Sequence, residues 1–184
     1  MVQVRLEGAP EAEVVRLVTQ VRAVLPAGSL VIVNATGRDP AFAGRVGADG
    51  AHVGGGDPAV VEAVRRALAP RAVIGYSAHG AAEIGEAARR GADYVSLSPV
   101  FTPLSKESPL PPLGMGAFGS ACRGSPIPVF ALGGITAERI PVVRSAGAYG
   151  AACIGAVLDA PDPVAAVREI LAAWAARRLR ATWD

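Results

Sequence analysis

The sequence predicts one α/β domain whose strands run parallel. Short β-branched runs alternate along the chain with longer amphipathic stretches. The short runs are apolar at successive positions, which is typical of parallel strands buried on both faces. Three joints share a pattern, Gly47-Ala48-Asp49, Gly91-Ala92-Asp93 and Gly147-Ala148-Tyr149. The pattern indicates one βα unit used repeatedly. Because no linker or composition shift divides the chain, we predict a single domain over residues 1–184.

The composition excludes several classes of protein. With 184 residues, 51% hydrophobic and 18% charged, the chain can bury a sizeable core and is not a disordered chain. Its apolar runs are too short to span a bilayer, and the N-terminus does not resemble a signal peptide. The net charge is +2 and 5% of residues are aromatic, so no nucleic-acid partner is predicted. Cys122 and Cys153 lack CxxC spacing, which predicts buried thiols in a cytoplasmic protein.

The predicted elements follow from spacing and punctuation. In the first amphipathic stretch, Val14, Leu17, Val18 and Val21 recur at helical spacing. The glycines of the three joints fall just past helices, where a left-handed C-cap is needed. The predicted strands are 2–5, 30–33, 51–53, 72–76, 94–97, 128–132 and 151–154. The predicted helices are 11–25, 58–68, 80–90, 137–146 and 162–179.

Parallel βα units leave two architectures, a doubly wound open sheet or a (β/α)8 barrel. The first strand is followed by Leu6-Glu7-Gly8-Ala9-Pro10, which contains no nucleotide-binding glycine motif. Gly54-Gly55-Gly56-Asp57 lacks the rest of such a motif as well. The barrel is therefore favoured. Since a barrel of this type has eight strands and the first run begins at residue 2, we predict a TIM (β/α)8-type barrel that lacks its first βα unit in this chain.

The strongest site signal is a pair of glycine turns after the last two strands. Gly133 and Gly134 end one strand, and Ile154 and Gly155 end the next. Glycines let backbone N–H groups approach an anion, and Thr136 is placed to cap the following helix. This arrangement predicts a phosphate site, because barrels commonly bind phosphate after their last two strands. The alternative is that the glycines only permit tight turns.

A long loop, residues 99–113, is the second signal. It carries five prolines, and its Thr102, Ser105 and Lys106 can donate to phosphate oxygens. Lys106 is the only lysine among 18 basic residues, as expected for a position whose chemistry arginine cannot replace. The alternative is a solvated surface loop with an ordinary lysine.

Three further residues have both a functional and a structural interpretation. His52 and His79 lie at predicted strand ends. Each is interpreted either as an acid–base group or as a hydrogen-bonded structural residue. Asp57 is a candidate Mg2+ ligand, because hard cations take carboxylate oxygen. It is equally well placed to cap the helix that begins at Pro58.

With these residues in hand, the chain resembles the thiamine phosphate synthase/TenI family over nearly its whole length. The most specific stretch is the loop Pro99-Val100-Phe101-Thr102-Pro103-Leu104-Ser105-Lys106 followed by Leu132-Gly133-Gly134-Ile135. The other matching stretches are Val2-Gln3-Val4-Arg5, Gly47-Ala48-Asp49-Gly50-Ala51-His52, Gly75-Tyr76-Ser77-Ala78-His79, Gly91-Ala92-Asp93-Tyr94, Pro128-Val129-Phe130-Ala131 and Ala146-Gly147-Ala148. The family fold is a (β/α)8 barrel with one strand before the Gln/Arg strand.

The resemblance implies a transferase of thiamine biosynthesis. Such an enzyme joins a hydroxymethylpyrimidine pyrophosphate to a thiazole phosphate and releases pyrophosphate. Residues at positions that hold the pyrimidine pyrophosphate are Gln3, Arg5, Asn34, Ser77 and Lys106, and those at the thiazole phosphate are Thr102, Ser105, Gly133, Gly134, Ile154 and Gly155. Asp57 matches one of two aspartates that hold Mg2+. Arg5, Lys106 and His79 are the candidate catalytic residues. The implied partners are small phosphorylated molecules. A homo-oligomer is a further expectation, because a barrel that lacks a βα unit would expose sheet edges.

Three departures keep other functions open. The family's first Mg2+ aspartate is absent around Asn34 and Thr36-Gly37-Arg38, with Asp39 as the nearest substitute. Gly55 and Gly56 replace a glutamine and a glutamate of the family, and Gly155 replaces a common serine. The Thr-Gly-Arg variant resembles the TenI branch, which tautomerises thiazole phosphate by acid–base chemistry. Here His52 or His79 would have to serve. A tautomerase and a non-catalytic thiazole- or phosphate-binding regulatory barrel are therefore the alternatives.

Overall fold

The alternating apolar runs form parallel strands with helices between them. The computed structural model describes residues 1–102 and 110–176 and divides into two units. The first unit is Met1–Ser77 with Gly85–Tyr94, and the second is Ala78–Ile84 with the chain from Val95 onward. The prediction of one domain stays a prediction.

The first unit holds the first βα repeats. Its strands pair in parallel and in chain order, β1 with β2, β2 with β3 and β3 with β4. Val31, Ile32, Val33, Val61 and Ile74 are fully buried between strands and helices. Each such burial contributes about 1.5–3 kcal/mol. The elements are β1 (Val2–Val4), α1 (Glu11–Val24), β2 (Val31–Asn34), α2 (Phe42–Arg45), β3 (Gly50–Val53), α3 (Ala59–Ala67) and β4 (Val73–Ala78).

The second unit repeats the arrangement. Helix α4 (Ala81–Arg89) contributes residues to both units. Strand β5 pairs in parallel with β6, and β6 with β7. Val95, Leu97, Phe118, Ile140 and Val143 are fully buried. The elements are β5 (Tyr94–Leu97), α5 (Gly114–Gly124), β6 (Val129–Ala131), a 3-10 turn (Ala137–Arg139), α6 (Ile140–Ser145), β7 (Gly150–Ala151), α7 (Gly155–Leu158) and α8 (Pro163–Ala175).

The three predicted joints have the predicted geometry. Gly47, Gly91 and Gly147 have φ values of 70°, 97° and 104°, the left-handed region that favours glycine. After each glycine, the alanine N–H bonds back to a carbonyl near the helix end, at 3.0–3.1 Å. This is the hydrogen-bond pattern of a Schellman cap, so the prediction of glycine C-caps is confirmed.

The aspartates of the first two joints fix the neighbouring strands. Asp49 accepts from the Val31 N–H at 2.7 Å, and Asp93 accepts from the Ile74 N–H at 2.7 Å. Each carboxylate also pairs with an arginine, Arg22 and Arg65 respectively. A charge-assisted bond to a strand amide is worth about 1.5–3 kcal/mol, so these aspartates help to set strand register. In the sequence, these two aspartates stand out only as part of the repeated joint.

Several expectations need correction. Of an eight-stranded barrel, the described residues contain seven strands, so the parallel α/β architecture is confirmed while full closure is not. The last predicted strand, 151–154, is wrong: β7 ends at Ala151, and Ile154 directly precedes α7. Helices α2, α5 and α7 were not predicted. Helix α5 was missed because its glycines weaken the helical signal.

The cysteines and helices bear on two further expectations. Cys122 and Cys153 are free thiols that are only half-buried, and partial burial raises the pKa of Cys122 to about 11. Within residues 1–102 and 110–176, every helix is too short or too polar to cross a membrane.

Candidate active-site residues

One face of the first unit gathers most of the polar residues predicted there. In paired parallel strands, residues in register point to the same side of the sheet. Asn34 is in register with His52, and His52 with Gly75. Gln3 on β1 and Arg5 directly after β1 flank the buried Val4 and continue this alternation, and Ser77 lies two residues after Gly75. Gln3, Arg5, Asn34, His52 and Ser77 thus share one face.

Arg5 supplies an exposed cation to this face. Its side chain is 48% exposed, and its Nε donates to Glu7 at 2.9 Å. An exposed ion pair of this kind is worth little, so Arg5 can exchange Glu7 for a more highly charged anion. Gln3 is exposed as well. Both side chains are accessible to a ligand.

The turn after β2 is stiffened by side-chain hydrogen bonds. The Asn34 side-chain oxygen accepts from the Thr36 N–H at 3.3 Å, and Thr36 Oγ1 accepts from the Gly54 N–H at 2.7 Å. These bonds tie the turn after β2 to the turn after β3. Arg38 donates to the carbonyls of Leu6 and Ala9. The Arg38 guanidinium therefore holds the turn after β1 in place.

Asp57 fits a metal only as a single ligand. Its Oδ1 accepts from the Ala59 N–H at 2.8 Å, which caps the start of α3 as the structural interpretation predicted. The capping bond uses one carboxylate oxygen, and Asp57 is exposed. Magnesium is often bound by one or two carboxylates together with substrate phosphates, so one oxygen donor here is compatible with it.

Asp39, the nearest substitute for the second aspartate, already has hydrogen-bond partners. It accepts from the Ala41 N–H and from Arg45, at 2.9 and 2.7 Å, and these bonds lower its pKa. Within the described residues, no cluster of three or more His, Cys, Asp or Glu side chains could hold a metal ion. Because its carboxylate is already bound to Arg45, Asp39 is a weaker metal candidate than the exposed Asp57.

His52 is the most buried polar residue of this face. Its side chain is 4% exposed, and its two ring nitrogens contact Tyr94 Oη at 3.0 Å and Ser77 Oγ at 2.9 Å. Burial, reinforced by the positive charge of Arg5, lowers its pKa to about 4. His52 is therefore neutral at pH 7, and its nitrogens are both engaged. Of the two histidines offered for acid–base work, His52 is the less suitable.

We expect His52 to make the protein less stable in acid. The pKa is 6.5 in the unfolded chain and about 4 in the fold, so the unfolded state binds the proton more tightly. The contribution of neutral His52 to the free energy of unfolding is fully present above pH 6.5. It falls by about 3 kcal/mol as the pH drops from 6.5 to about 4. Urea unfolding of the wild type and His52→Gln between pH 7.5 and 4.5 measures it. Parallel curves across that range would contradict the expectation.

The second unit contains the predicted glycine turn after β6. Gly133 and Gly134 have φ values of 92° and 62°. A Cβ on Gly133 would lie 2.7 Å from Pro99 Cα, and one on Gly134 would lie 2.3 Å from the Thr102 carbonyl oxygen. The Phe101 N–H donates to the Gly133 carbonyl at 3.1 Å. The turn and the segment leading to Thr102 are therefore in direct contact, as a shared phosphate site requires.

Arg139 was not singled out from the sequence, and no motif marked it. Its Nη1 donates to the Gly134 carbonyl at 2.5 Å, and its guanidinium lies 4.6 Å from the centre of the Phe101 ring. The guanidinium thus fixes the conformation of the glycine turn from one side.

The remaining predicted phosphate donors give mixed outcomes. Thr136 directly precedes the 3-10 turn, but its side chain makes no capping bond to a backbone N–H, so that prediction is wrong. Its hydroxyl bonds to the Glu138 carboxylate instead and lowers the pKa of that group. Ile154 and Gly155 lie at the start of the four-residue α7, with the Ile154 side chain exposed.

His79 has a fixed tautomer at the end of β4. Its Nδ1 lies 2.8 Å from the Ser98 carbonyl oxygen, and the backbone N–H of His79 donates to the Glu83 carboxylate. A carbonyl oxygen only accepts, so Nδ1 carries the proton and Nε2 of the neutral ring is the basic nitrogen. His79 can therefore act as an acceptor or base. Ser105 and Lys106 lie outside the described residues.

The sequence matches one family over most of its length. That family, described as thiamine monophosphate synthase, matches residues 1–157. A thiamine-phosphate synthase from Anaeromyxobacter dehalogenans is 40% identical over 178 residues, covering 96% of this chain and 78% of its own. One from Methanoculleus marisnigri is 39% identical over 92% of this chain and 79% of its own. The match to a Salinispora tropica thiamine-phosphate synthase, 42% identical, spans 70% of this chain and 61% of that protein.

Two solved enzyme structures have a similar fold. Thiamine phosphate pyrophosphorylase from Pyrococcus furiosus superposes with a TM-score of 0.79 at 29% identity, covering 94% of this chain and 81% of its own. A 3-hexulose-6-phosphate synthase superposes with a TM-score of 0.73 at 25% identity, covering 94% and 87%.

Proposed function

The chain belongs to the thiamine monophosphate synthase family, and from this premise we propose that it joins hydroxymethylpyrimidine pyrophosphate to thiazole phosphate and releases pyrophosphate. The observation that carries the proposal is the similarity to thiamine-phosphate synthases, at 40% identity over 96% of the chain. The polar face of the first unit and the glycine turn of the second support it, because the two substrates carry a pyrophosphate and a phosphate. We further propose that the reaction takes place in the cytoplasm.

The first unit is assigned to the pyrimidine pyrophosphate. Gln3, Arg5, Asn34 and Ser77 lie on one face and offer one guanidinium and three neutral polar groups. A guanidinium with convergent hydroxyl and amide donors is the combination that binds a pyrophosphate. The Asn34 side-chain oxygen is occupied by the Thr36 N–H, which leaves its NH2 group to donate to the ligand. Lys106 is assigned to the same substrate only because of the family resemblance.

The second unit is assigned to the thiazole phosphate. Gly133 and Gly134 present backbone N–H groups, and within the described residues these have no acceptor. Thr102 is exposed beside this turn. Oriented backbone N–H groups in a glycine turn form a concavity that binds anions. Ser105, Ile154 and Gly155 are assigned to the same phosphate.

The residues assigned to the site bind and orient the substrates and stabilise charge. As the pyrophosphate departs, negative charge grows on it and positive charge on the pyrimidine ring. Arg5 and Lys106 would stabilise the departing anion, so electrostatic stabilisation takes the place of a protein nucleophile. Bound Mg2+, held by Asp57, would supply further neutralisation of the pyrophosphate.

The test is a coupled assay for both products. The protein is incubated with hydroxymethylpyrimidine pyrophosphate, thiazole phosphate and Mg2+, and thiamine phosphate and pyrophosphate are quantified. Equal amounts of the two are expected. Binding of thiazole phosphate without product would refute the transferase and leave a tautomerase or a non-catalytic regulatory barrel.

Asp57→Asn is expected to lower kcat/KM about a hundredfold, because it removes the one carboxylate assigned to the metal. The Mg2+ concentration that gives half-maximal activity should rise as well. Asparagine keeps an oxygen to accept from the Ala59 N–H, so the helix cap is retained. The matched control is Asp39→Asn, whose carboxylate is bound to Arg45, and it should leave Mg2+ dependence unchanged. If both variants behave alike, Asp57 is not the metal ligand.

A thiazole phosphate tautomerase is the second candidate, on one observation. The His79 Nδ1–H is fixed by the Ser98 carbonyl, which leaves Nε2 as a base. In the presence of D2O, a tautomerase would introduce deuterium into thiazole phosphate, and His79→Gln would abolish that exchange. Exchange at the solvent background rate would exclude the tautomerase.

A further inference from the structure

Three side chains of the first unit form a hydrogen-bonded chain, of which only the last member has an assigned role. Tyr94 Oη lies 3.0 Å from His52 Nδ1, and His52 Nε2 lies 2.9 Å from Ser77 Oγ. Tyr94 begins β5, His52 lies in β3 and Ser77 lies near the end of β4. The chain therefore runs from a buried phenol to a hydroxyl on the polar face.

Packing holds the two inner members in place. His52 is 4% exposed and Tyr94 is 6% exposed. A Cβ on Gly75 would lie 2.2 Å from Tyr94 Cζ and 2.5 Å from His52 Nδ1. The contact between the two rings thus exists only because residue 75 has no side chain.

The polarity of this chain decides what Ser77 can offer to a ligand. If Nε2 carries the ring proton, it donates to Ser77 Oγ, and the serine proton is left to point at a ligand. If Nδ1 carries it, Ser77 donates to Nε2 and turns a lone pair toward the ligand. Phosphate oxygens accept hydrogen bonds from donors, so only the first arrangement binds them.

We propose that Tyr94 and His52 are positioning residues that make Ser77 a hydrogen-bond donor to the substrate pyrophosphate. Tyr94 donates to Nδ1, which places the ring proton on Nε2, and Nε2–H donates to Ser77 Oγ. Burial raises the pKa of the Tyr94 phenol, so the phenol keeps its proton and can donate it to Nδ1. It also keeps His52 uncharged, with one nitrogen accepting and one donating. The inference rests on the proposed pyrophosphate substrate.

The tautomer can be read directly from the wild-type protein. The protein has two histidines, so the 15N spectrum of histidine-labelled protein contains the signals of two rings. The spectrum of His79→Gln assigns them. For His52 we expect an unprotonated Nδ1 and a protonated Nε2 at pH 7. The reverse pattern, or a charged ring, would overturn the proposal whether or not the protein is an enzyme.

Affinity for inorganic pyrophosphate tests the consequence. Tyr94→Phe keeps the ring and removes the donor, so Kd should rise about tenfold. Ser77→Ala should cause a similar loss. In the Ser77→Ala background, Tyr94→Phe should cause no further loss, because the chain acts only through Ser77. Additive losses would show a merely structural effect and overturn the proposal.

A matched control and the enzyme assay separate this inference from the proposed function. Tyr149→Phe removes a phenol that is 67% exposed and is expected to leave Kd unchanged. If the wild type makes no thiamine phosphate but the tautomer and the affinity cycle are as expected, the proposed function fails and the positioning role stands. If turnover is normal and Tyr94→Phe leaves both Kd and KM unchanged, the positioning role fails alone.

Discussion

Gly134→Ala is expected to lower kcat/KM at least about a hundredfold, mainly by raising KM for thiazole phosphate. The new Cβ would lie 2.3 Å from the Thr102 carbonyl oxygen, and the φ of 62° is unfavourable for alanine. Neither the turn nor the Thr102 segment can keep its position, so the backbone N–H groups would lose their convergence on the phosphate. Kinetics with thiazole phosphate as the varied substrate measure the effect.

A matched control separates this crowding from backbone strain. Gly28 has a φ of 82°, and a Cβ there would meet nothing within 4 Å. Gly28→Ala should therefore cost about 1 kcal/mol of stability and leave KM unchanged. If the Gly134 and Gly28 variants have the same KM for thiazole phosphate, the glycine turn does not bind this substrate.

Gly50→Ala is expected to reduce the free energy of unfolding by more than about 3 kcal/mol, enough to prevent folding in a marginally stable protein. Gly50 is in register with Val73, and a Cβ would lie 1.9 Å from the Val73 carbonyl oxygen and 2.8 Å from its nitrogen. Both atoms are backbone of the paired strand β4, so relief requires the strands to separate. Urea denaturation followed by circular dichroism, or the soluble yield, measures the loss.

Gly44→Ala is the control for this substitution. Its Cβ would contact only Leu68 Cδ2 at 3.6 Å, an ordinary van der Waals distance, within helix α2. Alanine is also the better helix former, so stability should be unchanged or slightly higher. If Gly50→Ala is as stable as Gly44→Ala, this result would contradict the inference that β3 and β4 are too close at Gly50 to accommodate a side chain.

The sequence predicted the elements that depend on local chemistry. Apolar β-branched runs placed the first six strands, and the Gly-Ala-Asp joints placed the left-handed caps at Gly47 and Gly91, because both signals arise from neighbouring residues. Helix α5 escaped because Gly114, Gly116 and Gly119 weaken the helical signal, and its stability comes from burying Phe118 against the rest of the unit. The site residues stay predictions, with Ser105 and Lys106 outside the described residues.

The sequence by itself determined the repeated βα unit, the family and the types of residue that could bind phosphate. It could not say which of these residues act together, because that depends on the register of strands far apart in the chain. Only the tertiary structure placed Tyr94, 42 residues after His52, against its ring and Ser77 on the other nitrogen. Burial then moved the pKa of His52 to about 4 and made a candidate acid–base group into a neutral hydrogen-bonding one. Desolvation is a property of the packed neighbourhood, and no local pattern of residues encodes it.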